Sequence, residues 1–328
     1  MDKVATLSNE ERKELFAETA RQMGVHPSII EKDFWVVWIL DKIFSDEELK
    51  NILMFKGGTS LSKVYNLIGR FSEDIDLILD WREVTDEDPQ RDRGSKNKQV
   101  KFNEKINKKA LQYIRESLLP VLSKLVSPIC QCKIDDSNPY NIIVTYPRTF
   151  DNTYLRSEVL LEIGPLASWQ PSDQFEIESY AAQYFPKIFQ RTKCKVNAIE
   201  AKRTFWEKAT ILHQEANRDK SKDMPERYSR HYYDLACMAK SSIKTEALSD
   251  LRLLQQVVDF KRKFYPATWA KFEEAKPGSL KLVPPEYRIK ELKADYKAME
   301  QMIFDKELSF EEILEILREL EDEINSFA

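Results

Sequence analysis

The chain has 328 residues, 42% hydrophobic and 32% charged, enough to bury a full core in one large or two modest domains. Its formal net charge of −4 excludes a uniformly basic nucleic-acid binder, so any contact with nucleic acid has to come from a local patch. There is no N-terminal signal pattern and the longest apolar stretch, around Phe34 to Leu40, is too short to span a bilayer, so a cytoplasmic location with no membrane partner is expected.

From Ser8 to about Ser45 the pattern is helical. Ser8 with Glu10 and Glu11 offers a capped, acidic first turn, and Leu15, Phe16, Ala20 and Met23 recur at helical spacing. Pro27 starts a second helix in which Ile30, Phe34, Val37 and Trp38 share a face; Lys32 and Asp33 read as its wet side. Leu53 to Phe55 form a short apolar strand, Gly57 and Gly58 permit a tight turn, and Thr59 is placed to cap a helix running to about Ile68. The N-terminus of such a helix presents unpaired N–H groups to a phosphate, with Ser60 and Lys63 adding a hydroxyl and a cation. In the next predicted strand, Asp74 to Leu79, a period of two puts Asp74 and Asp76 on one face and Ile75 and Leu77 on the other. Two aligned carboxylates suit Mg²⁺; a solvated strand edge is the plainer reading.

Trp81 to Gln90 reads as an acidic loop. Between Arg91 and Lys109 stand eight cationic side chains against Asp92 and Glu104, a candidate contact for RNA phosphates or a triphosphate in which Lys96, Lys98 and Lys101 are prominent; a solvated helix face is the alternative. A helix follows from Asn103 to Leu125, with Pro120 expected to kink it. Strands are expected at about 129–134 and 142–146, then at Ser157 to Ile163, where alternation sets Glu158, Leu160 and Glu162 on one face. Beyond Pro171 the chain is expected to be helical throughout. Asn197 with Glu200 resembles a capping box opening a helix with Phe205, Ala209 and Leu212 as its buried stripe, Glu207 off that stripe and Lys208 at its edge. Pro225 is expected to start a helix whose Arg227, Arg230, His231 and Asp234 share a face, either closing over a nucleotide or carrying a surface Arg230–Asp234 pair. The last helix, Ser309 to Ile324, opens on another capping pattern and carries an apolar stripe. Cys130, Cys132, Cys194 and Cys237 lack zinc spacing and read as reduced, mostly buried thiols.

Gly-Gly-Thr-Ser, a helix and then Ser-Glu-Asp-Ile-Asp resemble the signature of the DNA polymerase β-like nucleotidyltransferases. Together with Glu31 to Val36 (EKDFWV), FKGGTSLSK, Arg70 to Asp76 (RFSEDID) and Arg203 to Lys208 (RTFWEK), they look like the AbiEii/AbiGii abortive-infection toxin family over most of the chain, more loosely in the middle and at the far C-terminus. Thr59 stands where many nucleotidyltransferases have Ser, which leaves Thr59 and Ser60 both open as the phosphate contact. The resemblance implies an α/β (α+β) fold with a polymerase β-like core and a small mixed sheet: N-terminal helices over 1–50, the core over 51–190, and a helical domain over 191–328. It implies Mg²⁺ on Asp74, Asp76 and Glu162, Lys208 against the triphosphate, and Asp234 orienting either Lys208 or a cation. Gly57, Gly58, Thr59, Ser60, Lys63, Arg70, Ser72 and Arg230 are the expected nucleotide contacts, and Lys32 and Asp33 gain an alternative role beside the nucleotide. The expected reaction moves NMP from an NTP to a hydroxyl of RNA, the tRNA 3′ end, with the chain acting as the toxin of a toxin–antitoxin pair and a cognate antitoxin as partner. Two other readings stay open: a nucleotide- or RNA-binding interaction protein with a degenerate site, and a transferase acting on a small molecule or a protein hydroxyl.

Overall fold

The helix Pro27–Ser45 is apolar nearly all the way round, and such a helix has to lie inside. Ile30, Phe34, Trp35, Val37, Trp38 and Leu40 are all fully buried, Pro27 sits in the first turn, and the His26 ring accepts from the Ser28 N–H to close the N-terminus. The chain is described here by a computed structural model covering residues 1–151, 156–305 and 307–328. It divides into two units, Met1–Val64 with Phe71–Ile199 and Tyr65–Arg70 with Glu200–Ala328.

The first unit is built on a seven-stranded mixed sheet. Its strands are β1 (Leu53–Lys56), β2 (Ile75–Leu79), β3 (Gln131–Ile134), β4 (Asn141–Thr145), β5 (Val159–Gly164), β6 (Ser172–Glu178) and β7 (Lys193–Ile199), ordered β3-β4-β5-β2-β1-β7-β6. β2 runs parallel to β5, β1 parallel to β7, and the other neighbours are antiparallel. The buried helix packs on β7 and β5, with the helices Asn9–Met23 and Leu119–Val126 around it.

β6 and β7 correct the expectation of continuous helix beyond Pro171. In β7, Cys194, Val196 and Ala198 are buried and Lys193 and Lys195 exposed, the period of a half-buried strand. Asn197 lies within that strand, so it caps nothing; Glu200 is the N-cap of the helix Ala201–Ala216. The turn helix also differs. It spans Gly57–Lys63 with Lys56 as N-cap, short of Ile68, and Asn66 has a left-handed backbone with φ 48°. Along the basic helix Lys96–Tyr113, continued by Leu119–Val126, a wide π turn at Ile114–Leu118 accommodates Pro120, whose ring has no N–H to give and crowds the preceding turn.

The second unit is helical. The Ser229–Ala239 helix begins four residues after Pro225, because Arg227 is left-handed (φ 58°) and Asp295 accepts from both the Arg227 N–H (2.7 Å) and the Ser229 N–H (2.8 Å). Ser309 and Glu312 form the expected reciprocal cap of the helix Phe310–Asn325. Gly69 accepts from the N–H groups of Phe304 and Asp305, and a side chain there would strike the Asp305 backbone. Cys130, Cys194 and Cys237 are buried thiols and Cys132 is partly buried; burial pushes Cys130 and Cys194 up to about 12. Among the described residues no helix is long and apolar enough to cross a membrane.

Phe34, fully buried and in ring contact with Phe16, Trp35 and Phe189, tests this packing. Phe34→Ala is expected to lower unfolding stability by about 3–5 kcal/mol in urea titrations.

Candidate active site

Register, set by the sheet, decides which carboxylates meet. β2 and β5 pair Ile75 with Leu161 and Asp76 with Glu162, and β1 pairs Lys56 with Asp76. Lys56, Asp76 and Glu162 therefore stand in one row across three strands, on one face, at the strand spacing of about 4.8 Å. Further along that face Met54, Ile78 and Ile199 form an apolar floor with Ala167 and Trp169 against it.

Asp74 lies one residue before β2. Burial pushes its carboxyl up, Glu73 and Asp76 add repulsion, and Lys32 opposes them; its Oδ1 is buried with no hydrogen-bond partner among the described residues. Gly57 explains how the Asp76 carboxylate reaches the turn. Its φ is +83°, and a Cβ there would sit 1.8 Å from Asp76 Oδ2, so only glycine admits both the backbone and the carboxylate. Gly58 follows inside the short helix. The two hydroxyls separate clearly. Thr59 Oγ1 donates to the Asp74 carbonyl and lies 3.0 Å from Ser72 Oγ, tying the turn to the strand entry, whereas the buried Ser60 Oγ has no partner. Among the described residues no group of three or more His, Cys, Asp or Glu side chains is arranged to hold a metal ion.

Lys32 and Asp33, read from sequence as a wet helix face, are buried, as is Glu31. Each anchors a different segment of the first unit. Glu31 accepts from the Thr149 and Phe150 N–H groups and the Thr149 hydroxyl. Lys32 Nζ lies 2.6 Å from Glu73 Oε2, with side chains only 1% and 2% exposed, and donates to the Arg156 carbonyl, while the Arg156 N–H donates to Glu73. Asp33 accepts from Lys63 Nζ at 2.6 Å and from the Tyr180 N–H. Lys63, expected on phosphate, is thus taken up inside the fold, with its ammonium 3.8 Å from the centre of the Tyr180 ring.

The second unit has its own charged centre. Asp234 is fully buried and accepts a two-pronged contact from Arg70, Nε to Oδ1 at 2.7 Å and Nη2 to Oδ2 at 2.9 Å, and a third from Lys208 Nζ at 2.7 Å. Burial works against its charge, but Arg70 and Lys208 outweigh it and hold Asp234 well below the usual carboxylate range. The surface Arg230–Asp234 pair is therefore absent from these contacts; the partners of Asp234 are Arg70 and Lys208. Arg70 serves here as an internal counterion, a role its expected place on the nucleotide did not include. Lys208 is 7% exposed and not part of a surface pair. Burial lowers its ammonium, Asp234 opposes that, and Arg70 and Arg230 add to it. His231 Nδ1 accepts from Lys208 at 3.0 Å; burial, then Lys208 and Arg230, hold its ring well below 6.5 and neutral.

Lys56, Glu73 and the Lys32 anchor escaped the sequence reading. The signal for Lys32 was there: three consecutive charges inside a helix apolar on every side cannot all face water.

The mixed sheet carries carboxylates in register beside a glycine turn, and by its family the chain is a nucleotidyltransferase. The family described as "Nucleotidyl transferase AbiEii toxin, Type IV TA system" matches residues 38–316, and the chain belongs to it. Among solved structures it is similar to MenT4, nucleotidyltransferase toxin Rv2826c from Mycobacterium tuberculosis H37Rv, at 15% identity over 95% of this chain and 98% of that one, with a TM-score of 0.45. It is also similar to JHP933 from Helicobacter pylori, at 14% identity over 92% and 96%, with a TM-score of 0.44. No curated protein matches the sequence.

Two measurements test the charged anchors. Lys32→Met strands the Glu73 charge and is expected to cost about 3–5 kcal/mol, most of it recovered in Lys32→Met/Glu73→Leu, as read by urea unfolding. His231 stays neutral when folded but takes a proton below about pH 6.5 when unfolded, so stability is lost as pH falls below that value. Asp234 adds a loss of the same sign below its ordinary 3.8. In His231→Asn the urea midpoint is expected to fall less steeply between pH 6.5 and its acid limit, by about one proton.

Proposed function

We propose that the chain transfers a nucleoside monophosphate from an NTP to a hydroxyl of RNA, the 3′ end of tRNA, releasing pyrophosphate, and that it does so as a toxin held in check by a cognate antitoxin. The observation that carries this reading is the shared register of Asp76 and Glu162 beside Gly57, with Asp74 Oδ1 and Ser60 Oγ buried and unpaired. Buried polar atoms without partners are costly, and a cation against Asp74 with a phosphate oxygen against Ser60 would satisfy both.

Mg²⁺ fits this donor set as a hard ion that takes oxygen ligands. Asp74 and Asp76 are its proposed ligands, with Glu162 completing the set from the neighbouring strand. Held by these carboxylates, Mg²⁺ would supply the positive charge that polarises the α-phosphorus and lowers the pKa of the attacking hydroxyl. Glu162, exposed at Asp76's register, is the side chain to accept the hydroxyl proton. The backbone N–H groups of Gly57 to Ser60 and the Ser60 hydroxyl hold phosphate oxygens, while Thr59 and Ser72 support the turn. Lys208 is the proposed triphosphate cation, with Asp234 and Arg70 as positioning residues that fix its ammonium and Arg230 adding positive charge. The barrier is met by positioning and charge neutralisation more than by covalent chemistry.

Incubation with labelled NTPs, Mg²⁺ and total RNA tests the reading. Label is expected on RNA, lost in Asp76→Ala and on chelation, and restored by Mg²⁺. Label on a small molecule or a protein would keep the transferase and move the acceptor; no label anywhere would refute both. Gly57→Ala displaces the Asp76 carboxylate and is expected to lower kcat about a hundredfold or more while far-UV circular dichroism is unchanged.

A further inference from the structure

We propose that the helix Lys96–Tyr113 is an RNA-docking surface that grips the phosphodiester backbone through a stripe of Lys98, Lys101, Lys105 and Lys108. This deepens the reading that the acceptor is RNA, and rests on it. Steps of three, four and three residues bring the four lysines onto one side of the helix, over a length of about 15 Å at 1.5 Å per residue. That is long enough to meet several successive phosphates of one RNA strand. Ile106 and Ala110 turn away from the stripe and are buried, and Phe102, beside Lys98 and Lys105, is buried under the Arg93 guanidinium. The helix therefore has no apolar face left to insert into lipid, which argues against a membrane surface as the partner.

The charge on this stripe is largely uncompensated. Lys105 pairs with Glu87 at 2.9 Å, while among the described residues Lys98, Lys101 and Lys108 have no acidic partner. Like charges three and four residues apart weaken a helix by a few tenths of a kcal/mol per pair. In a protein of net charge −4, a row of four exposed lysines of which three have no ion-pair partner among the described residues is open to an anion. The N-terminal end of the stripe also has a shaped wall. Lys98, Lys101, Phe102 and Lys105 line a surface cavity of about 430 Å³ together with Arg91 and Arg93 and two acids, Glu87 and Asp92, so that five cations face two carboxylates there. The loop at Arg91 to Arg93 is held in place by Arg93, whose guanidinium lies 3.2 Å from the Phe102 ring centre and donates to the carbonyls of Asp88, Pro89 and Arg91. The stripe corrects the weight given to Lys96, which opens the helix well to the side of Lys98 and does not line the cavity. The recognition is of phosphates, so it carries no base specificity of its own.

The test measures binding of the full chain to a fluorescent oligouridylate and to tRNA by anisotropy over a series of KCl concentrations, for the wild type, Lys98→Glu/Lys101→Glu/Lys108→Glu and Lys96→Glu. Wild-type binding is expected to weaken steeply with salt. The triple variant is expected to bind at least about tenfold more weakly, with its slope of log K against log salt reduced by about 2, and Lys96→Glu to match the wild type. A triple variant with wild-type affinity and slope overturns the proposal. So does preferential binding to phosphatidylserine vesicles that the same substitutions abolish. Label transfer, run in parallel, separates the two readings: transfer to RNA undiminished in the triple variant removes the docking surface and leaves the transferase, whereas salt-dependent binding through the stripe without transfer by the wild type removes the acceptor reading and leaves the surface.

Discussion

The buried ion pair of Lys32 and Glu73 is the constraint on which the geometry of the first unit turns. Glu73 immediately precedes Asp74, and the backbone of Arg156, which leads into β5, meets both members of the pair. The entry to β2 and the entry to β5 are therefore fastened to one point on the central helix. Because β2 and β5 are parallel neighbours, fastening their starts fixes their register, and that register sets Asp76 opposite Glu162. A slip of one residue would turn Glu162 to the other face. Two charges taken out of water gain little net stability over an apolar pair of the same size, so the contribution of this pair lies in where it puts the strands.

Glu31 and Asp33 repeat the device on either side. One holds the backbone at Thr149 and Phe150; the other holds Lys63 at the end of the glycine-turn helix and the Tyr180 N–H. Three successive side chains of a single helix thus reach three separate segments, and two of them bracket the carboxylates. Between those anchors lie two buried oxygens, Ser60 Oγ and Asp74 Oδ1, that have no hydrogen-bond partner among the described residues. Arg12 Nε and the indole N–H groups of Trp35 and Trp169 in the same unit are likewise buried without partners among the described residues; what sets Ser60 and Asp74 apart is that they are oxygens beside the glycine turn, where a ligand can relieve their cost.

Local pattern carried much of this. Strand β1, the Asp-x-Asp strand, the proline-started helix and the capping box at Ser309 all follow from short-range rules, because their causes lie within a few residues. The same rules failed where the cause was distant. Asp234 was paired with Arg230 by helical spacing, whereas its partner Arg70 lies 164 residues away. β6 and β7 went unread although Lys193 to Ala198 alternates with a period of two, because each strand is only seven residues long and is held by its partners, β7 pairing along its length with β6 and joining β1 through Phe55 and Ala198. The burial of Lys32 could have been inferred; its partner could not, since nothing in spacing distinguishes Glu73 from any other glutamate.

The second unit has a charged centre of its own. Arg70 and Lys208 bring two positive charges to the single carboxylate of Asp234, and His231 is held neutral beside them. The centre keeps an excess positive charge, with Arg230 adding to it. Burial and the neighbouring cations disfavour the ammonium of Lys208, so an anion at that position would lift the lysine back toward its ordinary basicity and gain the interaction in doing so.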